Sequence, residues 1–173
     1  DPRWETVQVM NFILGGGGFS SRLMKLVRSE KGLTYGIRSR FAGGARGGPF
    51  TISAATRNEK VRELIDLSMQ VVDDLRQNGV SEEDLNQAKN YLLGSFPLRL
   101  ETPEGEGSYL MMARRSGLGD DYLAAYPERV KAVTRTAVSM AASELLDTSR
   151  LRIIVVGPRA VSYTHLRAHE TRS

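Results

Sequence analysis

An arginine and a tyrosine seven positions apart are the residues of this sequence whose types and spacing could do chemistry. Arg28 and Tyr35 lie in the stretch RSEKGLTYG, on the two sides of Gly32. A guanidinium and a phenol both donate hydrogen bonds at neutral pH. Brought together by a turn, they could converge on one acceptor, such as a carbonyl oxygen that gains negative charge during attack. One well-placed donor of this kind contributes about 2.7–4 kcal/mol to transition-state stabilisation.

The same two residues also allow a purely structural interpretation. Tyr35 alternates with Leu33 and Ile37, so the strand pattern predicts that its ring shares their face and packs in the core. Arg28 stands near the end of a predicted helix, where a cation complements the helix dipole by about 0.3–1 kcal/mol. Spacing by itself leaves both interpretations open.

A helix, a turn and a hairpin must position this pair. Apolar periodicity predicts a helix from about Arg22 to Lys31, capped by one of two preceding serines. Gly32 suits the left-handed position just beyond a helix end. Two alternating segments, Leu33–Phe41 and Phe50–Thr56, then predict an antiparallel hairpin across a glycine-rich connection.

The rest of the chain is mainly helical in its pattern. Helices are predicted over residues 2–14 and 58–78, over 82–93 after the cap Ser81, after the cap Thr102, over 120–133, and after Thr134 or Thr136. The β-branched run LRIIVVGP, residues 151–158, predicts a buried final strand. This order predicts an α+β fold in which helices back one face of a mostly antiparallel sheet.

Composition limits the possible classes of protein. The chain has 173 residues, which suits one domain, and its net charge of +4 comes without a basic block, so no nucleic-acid partner is predicted. Its apolar runs are shorter than the roughly 20 residues that a membrane helix needs. Residues 161–173, VSYTHLRAHETRS, resemble a translated cloning scar. We therefore predict a domain over residues 1–160 and a non-native tail over 161–173.

Several chemistries fit the sequence poorly. There is no cysteine, and both histidines lie in the tail, so a zinc site or a serine–histidine pair within the domain is not expected. The loop Gly15–Gly18 could cradle a phosphate before a helix N-terminus. It follows a helical pattern where a nucleotide loop follows a strand, so a tight turn with positive φ at its glycines is the competing interpretation.

Three segments carry a family resemblance: NFILGGGGFSSRLMKLVRSEKGLTYGIRSRF, GPFTISAATR and IIVVGP. Together they resemble the pitrilysin/insulinase-type zinc peptidases, and in particular their C-terminal half, which lacks the zinc motif. The resemblance implies that Arg28 and Tyr35 are catalytic, binding the scissile carbonyl and the oxyanion. It also implies that Gly16, Gly17 and Phe19 contact substrate, near the mouth of a chamber between two homologous halves.

The resemblance also implies what this chain lacks. Zinc is expected in a homologous partner domain or subunit that carries the inverted His-x-x-Glu-His motif, with none in this chain, which would not hydrolyse peptides alone. The abrupt helical start implies a truncation after the first strand of the domain. The alternative function is that of a non-catalytic structural subunit in a larger complex. A bacterial cytoplasm and a periplasm both remain open as its location.

Overall fold

The computed structural model describes residues 3–43, 48–119 and 121–157. The proposed tail from Val161 therefore lies outside the described residues, as does Pro2. Most of the described chain is helical. The α-helices within these ranges are α1 (Trp4–Asn11), α2 (Val61–Asn78), α3 (Glu82–Ser95), α4 (Pro103–Arg115), α5 (Tyr122–Ala132) and α6 (Arg135–Leu145). No helix in these ranges combines the length and apolarity that a bilayer crossing requires.

Three of these helices begin at the predicted caps. The hydroxyl groups of Ser81, Thr102 and Thr134 each accept a hydrogen bond from the backbone N–H three residues later. Such a cap satisfies an N–H that has no partner inside the helix. The predicted end of α3 at Leu93 is wrong, because the helix continues through Gly94. A helical glycine costs only about 1 kcal/mol, and burial of the flanking Leu92 and Phe96 offsets that cost.

The chain between α1 and the sheet is mainly helical, but most of it is not regular α-helix. A π-helix, Phe12–Gly16, continues α1, a 3₁₀ turn covers Gly18–Ser20, and a second π-helix covers Met24–Glu30. These segments confirm the helical backbone that the periodicity predicts on both sides of the glycines. Single π-helical turns are rare and occur frequently at functional sites.

The sheet is the predicted antiparallel hairpin of β1 (Thr34–Phe41) and β2 (Phe50–Thr56). On one face Ile37 and Ser39 are buried, and β1 packs there against α1 and the two π-helices. On the other face Arg38 and Arg40 are exposed. Helices therefore back one face of an antiparallel sheet, and the predicted α+β class is confirmed.

The predicted final strand is wrong. Residues 151–156 make no strand in the structure, and Ile154 and Val156 are 88% and 96% exposed. The segment runs beside β2 and α2, but a cleft of about 440 Å³ separates it from them. A strand needs a hydrogen-bonding neighbour, and this cleft keeps the segment away from the unpaired edge of β2.

Candidate functional site

The turn between the second π-helix and β1 brings Arg28 and Tyr35 to the same corner. Gly32, with φ of 61°, sits in the left-handed region as predicted. Its N–H donates to the carbonyl of Arg28 at 3.0 Å, and the N–H of Leu33 donates to the carbonyl of Val27 at 3.0 Å. These two bonds close the helix end and fold β1 back along it. The last helical turn and the first residues of the strand therefore lie side by side.

A β-bulge at the start of β1 decides where Tyr35 points. Thr34 pairs with Thr56 and Ile37 with Ala54, so β1 carries one extra residue between those pairs. The extra residue reverses the alternation, and Tyr35 is 98% exposed while Ile37 is 3% exposed. The expectation that Tyr35 shares a core face with Ile37 is therefore wrong. The phenol faces solvent, where a substrate could reach it.

Thr34 holds this bulge, and sequence reasoning missed its role. Its hydroxyl oxygen accepts from the N–H of Gly36 at 3.1 Å and lies 2.7 Å from the carbonyl oxygen of Ala55, to which it can donate. On the other side, the N–H of Ile37 donates to the sulfur of Met24 at 3.4 Å. A threonine immediately before Tyr-Gly is the only local signal for this arrangement, and a strand pattern by itself does not reveal it.

The guanidinium of Arg28 is fixed from two directions. Its Nε donates to the backbone carbonyl of Tyr35 at 2.9 Å, and its Cζ lies 4.4 Å from the centre of the Phe19 ring. Within the described part of the chain, Arg28 makes no ion pair with a carboxylate. The terminal nitrogens are therefore not neutralised by a neighbouring acid, and their N–H groups can serve an external acceptor.

Arg28 and Tyr35 line one open concavity of about 810 Å³. Its other walls come from residues 32–34 and from the end of β2, Ala55 and Thr56. Arg57 adds a second cation at the rim, 68% exposed and 3.6 Å from Glu59. Sequence reasoning missed Arg57. The hairpin register could have indicated it, because pairing Thr34 with Thr56 places the residue after β2 opposite Leu33, which lines the same concavity.

Close packing around the backbone explains most of the glycines in the loop Gly15–Gly18. A side chain added at Gly15 would lie 2.6 Å from Ser39 Oγ, one at Gly16 would lie 2.5 Å from the Asn11 amide nitrogen, and one at Gly17 would lie 2.7 Å from the Phe12 carbonyl. Within the loop only Gly18 has a positive φ, 58°. Close packing thus explains the first three glycines, and the expected left-handed backbone holds for the fourth.

The predicted substrate-contacting residues differ in their placement. Gly16, Gly17 and Phe19 do not line the concavity of Arg28 and Tyr35. Gly16 is exposed, and Gly17 donates its N–H to the Phe12 carbonyl at 2.9 Å. Phe19 is 66% exposed and joins the site through its contact with Arg28. The structure therefore brings Phe19 into contact with Arg28 and leaves the two glycines outside the concavity.

Arg22 anchors the start of the helix that carries Arg28. Its guanidinium pairs with Asp74 and Asp84, each at 2.9 Å, and donates to the carbonyl of Gly79 at 3.0 Å. Burial raises the pKa of Asp84, but hydrogen bonds and charge from Arg22, with further bonds from Ser81, outweigh it and lower that pKa below its ordinary value. These contacts tie the site-bearing helix to α2 and α3.

The described residues do not hold a metal site. They contain no group of three histidine, cysteine, aspartate or glutamate side chains that could hold an ion. A zinc ion needs three or four such ligands. The side chains at this corner are instead donors: Arg28, Tyr35 and Arg57. They suit an oxygen-rich, partly negative ligand, and they supply no base.

Comparisons with known proteins show which family the chain belongs to. Residues 1–92 match the family described as the peptidase M16 inactive domain. An uncharacterized zinc protease from Streptomyces coelicolor is 31% identical over 163 residues, covering 90% of this chain and 33% of that protein. A protein from Helicobacter pylori described as a non-peptidase homolog is 39% identical over 99 residues, covering 55% of this chain and 22% of that protein.

The solved structures point to the same class of protein. A peptidase M16 inactive domain from Pseudomonas fluorescens superposes with a TM-score of 0.78 at 32% identity, covering 84% of this chain and 34% of that chain. The predicted resemblance to the zinc-free half of zinc peptidases is confirmed, and the chain belongs to the peptidase M16 inactive domain family. It spans between a fifth and a third of the length of the curated relatives described above.

Proposed function

We propose that this chain is the half of a zinc endopeptidase that binds peptide substrate and stabilises the oxyanion. The observation that carries the proposal is the arrangement at the corner: an arginine with no carboxylate partner among the described residues and a fully exposed phenol line one concavity. Donors aimed at a developing oxyanion are among the largest contributions to acyl-transfer catalysis.

In this proposal the two side chains have distinct tasks. The guanidinium of Arg28, held at Nε, offers its terminal N–H groups to the scissile carbonyl oxygen. The hydroxyl of Tyr35 donates to the same oxygen as it becomes negative. The described residues contain no group of three or more side chains that could hold a metal ion, so the proposal assigns the zinc and the base that activates water to a homologous partner domain or subunit. A chain without that partner hydrolyses nothing.

The test uses the parent protein, meaning this chain together with its zinc-binding partner domain or subunit. Its activity is measured with a fluorogenic peptide. We expect Arg28→Ala and Tyr35→Phe each to lower kcat/KM by about ten- to a thousandfold, because each removes a transition-state donor. Lys25→Ala is the matched control, since Lys25 is an exposed cation on the same helix. Tyr91→Phe, at a residue 54% exposed, is the control for the phenol. Activity unchanged in both Arg28→Ala and Tyr35→Phe would refute the proposal.

A second candidate function is that of a non-catalytic subunit, and the description of the Helicobacter pylori relative as a non-peptidase homolog favours it. In that case the partner would lack a working zinc motif, and the parent protein would hydrolyse none of a broad set of unfolded peptides. Zinc analysis of the purified parent protein separates the two candidates. About one zinc per partner domain supports the peptidase, and its absence supports the scaffold.

We also propose that a strand preceding residue 1 fills the cleft between β2 and residues 151–157. Gly157 lies near Asn58, so the segment runs in the same direction as β2. Trp4 lies against Gly43, which places the start of α1 at the hairpin end of β2. A strand antiparallel to both neighbours would therefore leave the cleft where α1 begins.

Hydrogen exchange tests this strand. In the parent protein, the backbone amides on the edge of β2 that faces away from β1 should exchange with solvent at least tenfold more slowly than in this chain. Equal exchange rates would reject the strand.

A further inference from the structure

Phe19 is an exposed aromatic residue whose surroundings require an explanation. Its side chain is 66% exposed at the centre of the 3₁₀ turn Gly18–Ser20. An apolar ring in this position gains little from burial. Its close neighbour is the guanidinium of Arg28, 4.4 Å from the ring centre, within the range of a cation–π contact.

The turn that carries Phe19 is held firmly. Gly17 donates to the Phe12 carbonyl at 2.9 Å, and the hydroxyl of Ser20 donates to the Gly17 carbonyl at 3.0 Å. Ser21 is fully buried, and its hydroxyl donates to the Gly18 carbonyl at 2.7 Å. Crowding at Gly15 to Gly17 allows little movement of the chain behind the turn. The ring is therefore presented from a fixed backbone.

Two contacts together orient the guanidinium of Arg28. The hydrogen bond from Nε to the Tyr35 carbonyl fixes one edge of the guanidinium, and the ring of Phe19 covers one of its faces. An edge and a face define the direction of a planar group. The terminal nitrogens, on the edge away from Nε, are left with a set direction. A guanidinium held by only one of these contacts could still rotate about that contact.

We propose that Phe19 is a positioning residue, whose ring fixes the plane of the Arg28 guanidinium so that its terminal N–H groups face the substrate carbonyl. This inference rests on the proposed function of Arg28. It differs from the substrate-contacting role that the family resemblance implies for Phe19, because here the ring acts through the arginine. An aliphatic side chain of similar size keeps the apolar contact but not the aromatic face.

The experiment is a double-mutant cycle in the parent protein, with kcat and KM determined separately. We expect Phe19→Leu to lower kcat by about three- to tenfold with little change in KM, since an exposed cation–π contact is modest. Phe19→Tyr keeps the aromatic face and should recover most of that loss. In the Arg28→Ala background, Phe19→Leu should cause no further loss. The melting temperatures of the variants should match, because the side chain is mainly exposed.

The outcomes separate this inference from the proposed function. A loss from Phe19→Leu that persists in the Arg28→Ala background would mean that the ring contacts substrate directly, and would overturn the positioning role. Equal losses for Phe19→Leu and Phe19→Tyr would overturn it as well. If Arg28→Ala alone left activity intact, the proposed function would fail first, whatever Phe19 did.

Discussion

Two segments of this chain have similar strand-forming sequences and reach different structures. Residues 34–41 form β1, which pairs with β2 and buries Ile37 against α1 and the two π-helices. Residues 151–157, with a denser run of β-branched residues, form no strand, and Ile154 is 88% exposed. Intrinsic propensity does not explain the difference, because the second segment has the stronger composition. The paired edge of β2 and the helices beneath it make β1 a strand.

The comparison also bears on function. The segment that pairs with β2 carries the candidate site, and its bulge is held by hydrogen bonds on both sides. In the proposed function a displaced donor would lose much of its value in the transition state, so rigid support would matter where Tyr35 and Arg28 lie. The segment without a partner carries none of the residues that the site uses.

The largest expected effect on stability tests the comparison between β1 and residues 151–157 directly. Ile37→Ala should lower the free energy of unfolding of this chain by about 2–5 kcal/mol, because it opens a cavity beneath β1. Ile154→Ala should change it by less than about 0.5 kcal/mol, because the side chain is already exposed. Urea unfolding of the two variants measures both. Similar losses at the two positions would show that residues 151–157 pack like a core strand in solution.

A smaller effect is expected at the glycine loop behind the site. Gly15→Ala should destabilise the chain by about 1–3 kcal/mol, because the added methyl group would meet Ser39 Oγ and the Ser39 backbone nitrogen at 2.6 and 2.7 Å. Gly107→Ala in α4 is the matched control, with open space around the new methyl group. That control should be neutral or stabilising by up to about 1 kcal/mol. Thermal or urea unfolding with the opposite order would argue against tight packing at Gly15.

The smallest effect on stability concerns the bulge. Thr34→Val should cost about 0.5–1.5 kcal/mol, since it removes the hydroxyl bonds to Gly36 and Ala55 while keeping the shape of the side chain. Thr51→Val, on the exposed face of β2, is the control and should change little. If the proposed function holds, Thr34→Val should also lower kcat/KM in the parent protein, because it weakens the bulge that turns Tyr35 towards solvent. Stability and kcat/KM that both match the control would show that the bulge does not depend on Thr34.

Local patterns predicted most of the elements correctly. The caps at Ser81, Thr102 and Thr134, the turn at Gly32 and the hairpin all follow from short-range rules, because a cap or a turn involves only a few neighbouring residues. The end of α3 was misplaced by two residues at Gly94. The strand at residues 151–158 was wrong for a different reason: a cleft separates the segment from the unpaired edge of β2, so it has no hydrogen-bonding neighbour among the described residues.

The candidate site was predictable in part. The identities and spacing of Arg28 and Tyr35 indicated two donors, while the alternation of Leu33, Tyr35 and Ile37 placed the phenol on the wrong face. A bulge changes the parity of a strand, and only the pairing of Thr34 with Thr56 and Ile37 with Ala54 makes it visible. The contribution of Arg57 to the concavity depends on the same register.

The sequence by itself determined which groups are present: two hydrogen-bond donors on opposite sides of a left-handed glycine, no histidine over residues 1–160, and helices that begin at their own caps. Those features depend on residue type and on contacts a few positions apart. The tertiary structure decided where the donors point and which apolar segment became a strand. The direction of the donors depends on hydrogen bonds such as that from Thr34 to Ala55, 21 positions apart. The fate of residues 151–157 depends on β2 and α2, which are farther away in the sequence, so no local pattern contains either piece of information.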